Sequence, residues 1–183
     1  MKIMVHRQPQ ASTPRGQLVE MFADSALLPT GKPLFLPDFA PSFRAVPAFA
    51  VRVDRLGKHV QRRYAERYWH HATTGFIVEP EGCDGQWIAS FDGSALVGHM
   101  HEVTPDHDTP WRWMVNDTMA VQATVAQHSE RVNEILCRVS QCCTIKMGDL
   151  LYFTIDCDAP TIAIGDRLKA SAGDTPSLNI RVC

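Results

Sequence analysis

The stretch AVPAFAVRVDRLGKHV, residues 45–60, sets the strongest constraint on the fold. Phe49, Val51 and Val53 alternate with Ala50, Arg52 and Asp54, the period of two that a half-buried strand requires. RLGK then breaks the pattern at Gly57, a residue free to take turn conformations closed to others. Upstream, SALLPTGKPLFLPDFAPS is punctuated by prolines that exclude an interior helix. The strand begins with AVPA, which carries no group able to bind a metal or move a proton.

The remaining segments extend this pattern. Residues 1–5 read as a short strand, TGFIVEPEGCDG as a strand running into a loop, and WIASFDGSALVGHMHEV as loop and strand. WRWMVNDTMAVQATV predicts a hairpin around Asn116-Asp117. TIKMGDLLYFTI and IAIGDRLKASAG each predict a turn and then a strand. Two segments carry helical spacing. QRRYAERYWHHAT places Tyr64, Tyr68, Ala65 and Ala72 together, with Arg62, Arg63 and Arg67 toward water. ERVNEILCRVSQCC has an apolar stripe of Val132, Ile135, Leu136 and Val139, with Ser129 as its expected N-cap. The fold class expected is α+β and β-rich, with two main helices in a single domain over 1–183.

Bulk properties exclude several functions. The 183 residues carry a formal net charge of −2 with 21% charged residues, which leaves no unopposed basic surface for nucleic acid. No apolar run approaches the ~20 residues of a membrane helix, and the N-terminus lacks a secretory pattern. A cytoplasmic protein is expected. The cysteines, Cys83, Cys137, Cys142, Cys143, Cys157 and Cys183, show neither C-x-x-C nor zinc spacing, and Cys142-Cys143 reads as packing.

Several pieces together resemble the fumarylacetoacetate hydrolase family, in particular its small bacterial members. They are DSALLPTGKPLFLPDF, VRVDRLGKHVQRRYAERYWHHATTG, FDGSALVG and SQCCTIKMGDLLYF followed by IAIGDRL. The resemblance covers roughly residues 24–170 and rests on order and spacing. It implies a β-rich mixed-sheet roll, usually dimeric. It also implies chemistry on compounds with a 1,3-dicarbonyl or 2-oxo acid unit, using Mg²⁺, Mn²⁺ or Ca²⁺ held by carboxylates.

The departures from the family fall on that chemistry. The resemblance puts the family's Glu-x-Glu pair at Val46 and Ala48, its third carboxylate at Ile77 and its lysine at Ala89. The Gly-Asn of its substrate loop matches Ala123 and Thr124, and Gly-Thr-Pro becomes Thr154, Ile155 and Asp156. The N-terminal lid segment is shortened to HRQPQASTPRG. Alkyl groups offer no lone pairs, so no metal and no cofactor is expected, and the positions read as a vestigial site.

Replacement ligands are few. His99 and His101 would share one side of a strand; Glu79 and Glu81 would share one side of an extended segment near Ile77. His70 and His71 face different ways, so one of them reads as exposed and they make no joint ligand; Asp156 and Asp158 read as a solvated acidic loop with at most weak cation binding. Three functions remain open: an inactive protein that retains binding of a small oxo acid, an interaction subunit, or an enzyme with a rebuilt site. The interaction subunit would pair with itself as a homodimer or with an active paralogue as a heteromer.

Overall fold

The computed structural model describes residues 1–7, 19–82 and 90–183. In chain order the strands are β1 (Ile3–His6), β2 (Val19–Phe22), β3 (Leu27–Pro29), β4 (Ser42–Arg52), β5 (His71–Glu81), β6 (Ala95–Val97) and β7 (His101–Glu102). They continue with β8 (Trp111–Val115), β9 (Thr118–Ala123), β10 (Leu150–Thr154), β11 (Thr161–Ile162), β12 (Arg167–Ala172) and β13 (Thr175–Arg181). The helix α1 spans Val125–Cys142, and 3-10 turns cover Asp24–Ala26 and Arg62–Tyr68.

A nine-stranded sheet runs β2-β1-β10-β4-β5-β6-β3, with β11 added to β4 and β7 to β5. It is mixed: β1 pairs β10 and β3 pairs β6 in parallel, while β4 and β5 form its long antiparallel centre. The second sheet, β13-β12-β8-β9, is antiparallel. This is the β-rich α+β architecture expected from the sequence.

Alternation decides what each face of β4 meets. Phe43, Ala45, Phe49 and Val51 enter the larger core, which also takes Trp111 and Trp113 of β8 and the apolar stripe of α1. Ala48 and Ala50 enter a smaller cluster on the opposite face, with Val46 packed against it. The Trp113 indole N–H donates to the Gly75 carbonyl at 2.9 Å, a bond that ties the second sheet to the first.

Local details depart from expectation in three places. Helix α1 starts at Val125 rather than after Ser129. Thr124 is its N-cap, in a capping box with Gln127, and the Ser129 hydroxyl donates to the Ala126 carbonyl. The Arg62–Tyr68 segment is a 3-10 turn, and Ala72 already lies in β5. Trp69 ends that helical segment because its side chain is buried and its N–H donates to Asn133 of α1 at 2.9 Å. Cys143 packs against the core while Cys142 is exposed, so only one of the pair packs. The hairpin at Asn116-Asp117 forms as expected, with φ of 49° and 65°, the left-handed pair a two-residue loop demands. Among the described residues no helix is long and apolar enough to cross a membrane.

Candidate functional site

The centre of the candidate site is the β4–β5 ladder. Val46 pairs with Ile77 and Ala48 with Gly75, so Val46, Ala48 and Ile77 project from one face. There they join Ile3, Val5, Ala50, Ala95, Val97, Leu150 and Tyr152 in the smaller apolar cluster. Burial drives the Tyr152 phenol far above its ordinary pKa, and its hydroxyl donates to the Leu96 carbonyl at 3.3 Å. The Ile155 N–H donates to the Pro47 carbonyl at 2.9 Å, which brings the end of β10 against the same ladder. The Ile155 side chain, with Ala123, belongs to the larger core, and Thr124 caps α1. Ala89, Cys83 and residues 8–18, which include most of HRQPQASTPRG, lie outside the described residues.

The polar edge of this face is an ion-pair cluster. Arg44 precedes Val46 by two residues and Glu79 follows Ile77 by two, and these two also pair across the ladder. The Arg44 Nε and Nη2 donate to one Glu79 oxygen at 3.0 and 2.8 Å. Arg7, just beyond β1, pairs through Nη1 with the other Glu79 oxygen and through Nε with Glu20 at 3.0 Å. The Glu81 carboxylate accepts from the Thr161 hydroxyl at 3.3 Å.

The candidate histidines stand elsewhere. His101 pairs with Ala72, and from Ala72 to Ile77 an extended strand rises roughly 17 Å. His101 packs on Trp111 with His107 nearby. Burial, then the charges of His99 and His107, lower its pKa, and its Nε2 is buried without a partner. His99 lies beside β13, where its N–H donates to the Ser177 carbonyl. The expected substitutes His99, His101, Glu79 and Glu81 therefore form no joint set. Among the described residues no three His, Cys, Asp or Glu side chains converge in a metal-holding group.

A further buried cluster escaped the sequence reading. Arg131 of α1 donates to the His6 Nδ1 through Nε at 3.0 Å, to the His6 carbonyl at 3.1 Å and to the Thr154 carbonyl at 3.0 Å. Its guanidinium lies over the Phe153 ring, while His128 stacks on Phe49. Burial lowers His6 to about 4, helped by Arg131 and Arg138, and lowers His128 to about 4, helped by Arg131. Burial also lowers Arg131 to about 10. Only the tertiary fold joins residues so far apart in sequence. The Arg44–Glu79 pair, by contrast, had a signal, because each lies two residues along an alternating strand from a position, Val46 or Ile77, that the resemblance singles out.

The fit of a divalent cation follows from donor chemistry. Mg²⁺, Mn²⁺ and Ca²⁺ need several oxygen ligands. Val46, Ala48 and Ile77 present only carbon and hydrogen, and both Glu79 oxygens are committed to guanidinium groups. These residues do not fit the cation.

No protein-family model and no curated protein matches the chain. Solved structures do. Fumarylpyruvate hydrolase from Pseudomonas aeruginosa, in complex with Mn²⁺ and pyruvate, is 15% identical with a TM-score of 0.84, covering 100% of this chain and 89% of that one. The 2-hydroxyhepta-2,4-diene-1,7-dioate isomerase from Mycobacterium marinum is 21% identical with a TM-score of 0.81, covering 99% and 73%. A Yersinia pestis protein provisionally placed in the fumarylacetoacetate hydrolase family is 16% identical with a TM-score of 0.82, covering 100% and 92%.

One expectation needs correction. The sequence reading of no cofactor does not stand, because the fumarylpyruvate hydrolase with this same fold carries Mn²⁺. The misfit at Val46, Ala48 and Ile77 concerns those positions and does not make the chain independent of cofactors. At the identities found, the likeness establishes architecture: the chain has the fold of the fumarylacetoacetate hydrolase family.

Proposed function

We propose that this chain is a divergent member of the fumarylacetoacetate hydrolase family that binds a small 2-oxo acid and has lost the family's hydrolysis at the β4–β5 face. The observation that carries the reading is the apolar triad of Val46, Ala48 and Ile77 on one face, Ala48 and Ile77 fully buried and Val46 half-buried against them, where the resemblance implies three carboxylates. An apolar face cannot polarise a carbonyl or hold the enolate that forms when a carbon–carbon bond breaks. Filling such a face with alkyl groups stabilises a fold at the expense of activity.

The test is an acylpyruvate cleavage assay on protein supplied with Mn²⁺ or Mg²⁺, alongside calorimetric titration with pyruvate. Binding without turnover is expected. Turnover abolished by chelation would overturn the reading and establish a rebuilt metal centre.

Pairing with a second copy or an active paralogue is a second reading. It is supported by Phe35 and Ile164, which are 69% and 76% exposed. Both flank the C-terminal segment, where Leu34 and Leu36 bond Cys183 and Gly165 bonds Val182. Light scattering of wild type and of F35S/I164S reads it directly: a dimer that the double substitution dissociates is expected.

A further inference from the structure

We infer that Arg7 and Arg44 form a carboxylate-binding pair, held in place by Glu79, at the edge of the apolar face made by Val46 and Ile77. The inference rests on the 2-oxo acid reading and assigns the groups that would recognise such a ligand.

Three observations carry it. First, Glu79 is a buried anchor rather than a ligand in waiting. Its side chain is 8% exposed, and each of its oxygens is taken by a different arginine. A buried carboxylate needs such partners, and in meeting that need it fixes both guanidinium groups on one side of the sheet. Second, the arginines are not used up. Arg7 engages Nε and Nη1, and Arg44 engages Nε and Nη2. The Nη2 of Arg7 and the Nη1 of Arg44 have no partner among the described residues. The side chains are 29% and 34% exposed, so each arginine reaches the surface. Third, the strands beside them turn apolar, with Val46 half-buried and Ile77 buried beneath it. Arg44 and Val46 alternate on β4, Ile77 and Glu79 on β5, and the two pairs lie in register.

The chemistry that fits is a carboxylate with a short, uncharged body. Planar guanidinium groups match carboxylate oxygens with parallel N–H bonds. The Arg7–Glu20–Glu79–Arg44 cluster is electrically balanced by formal charge. Selectivity therefore comes from directed donors rather than from bulk positive charge, and a small monocarboxylate is favoured over a polyanion. The body of the ligand would lie toward the exposed part of Val46, where a 2-oxo group has no repulsive partner.

The experiment is calorimetric titration of the full chain with pyruvate, with and without Mn²⁺, for wild type, R7M, R44M and R52M. Arg52 is a comparable half-exposed arginine on the same strand, paired with Asp54, and serves as the control. Wild type and R52M should bind alike, with R7M and R44M about ten- to a hundredfold weaker, the loss expected for hydrogen bonds to a charged group. Pyruvate-induced shifts of the Arg7 and Arg44 Nε resonances in wild-type protein give the same answer without a substitution, should a variant fail to fold. Binding that is unchanged in R7M and R44M, with silent Arg7 and Arg44 resonances, would overturn the arginine pair and leave the oxo-acid reading standing. Absence of pyruvate binding to wild type in both metal conditions would overturn both.

Discussion

Val46 stands directly opposite Ile77 in the antiparallel β4–β5 ladder, and both side chains lie against the apolar cluster of Ala48, Ala50 and Tyr152. A carboxylate at the fully buried Ile77 would be surrounded by this apolar cluster. Ile77→Asp is expected to destabilise the fold by about 3–5 kcal/mol, as unpaired buried charges do. In the triple substitution V46E/A48E/I77D the loss should be partly recovered by millimolar Mn²⁺. Thermal melts with and without the cation check this. A triple variant that gains no more from Mn²⁺ than wild type does would show that the three positions do not converge as described.

Gly75 sits opposite Ala48, and no side chain fits there. A Cβ would lie 2.4 Å from the Leu96 carbonyl oxygen and 2.9 Å from the Tyr152 ring. The carbonyl belongs to the β5–β6 ladder and cannot yield without breaking the sheet. Gly75→Ala should therefore cost about 2–3 kcal/mol in urea denaturation, in the range of core overpacking. The loss should extend to the Trp113 environment, because Trp113 bonds the Gly75 carbonyl. Trp fluorescence reports it.

Acid should loosen the attachment of α1. His6 accepts from Arg131 through Nδ1, so it must be neutral in the folded state, and His128 is buried close by. Both are lowered to about 4, below the ordinary 6.5. As pH falls from 6.5 the unfolded chain takes up these protons and the folded chain does not, so stability drops until about pH 4. The combined loss is on the order of 2–5 kcal/mol. Urea midpoints between pH 7 and pH 4 measure it. The variant H128L should show a shallower pH dependence, and an unchanged slope would remove His128 from the account.

The capping box of α1 gives a smaller, local prediction. Thr124 accepts from the Gln127 N–H at 3.3 Å, and the Gln127 side chain accepts from the Thr124 N–H at 3.0 Å. Thr124→Ala is expected to lower stability by about 1 kcal/mol, and Thr124→Ser to restore most of it. Thr124 also falls where the resemblance puts the family's substrate loop, so a change in pyruvate affinity larger than the change in stability would give it a role beyond capping.

The sequence by itself determined the faces. The alternation of Phe49, Val51 and Val53 and the Asn116-Asp117 turn were visible as local patterns, because strand period and left-handed turns are properties of a few adjacent residues. The α1 stripe of Val132, Ile135, Leu136 and Val139 was equally plain. The apolar chemistry of Val46, Ala48 and Ile77 needed only the resemblance and side-chain formulae. What the tertiary structure decided was company. It set Glu79 between Arg7 and Arg44, parted His101 from Ile77 along β5, and brought Arg131 onto His6. Each of those pairings depends on strand register and on the closing of the sheet around distant segments. Burial then fixed the consequence, since a charge or imidazole removed from water is governed by whichever partner the fold places beside it.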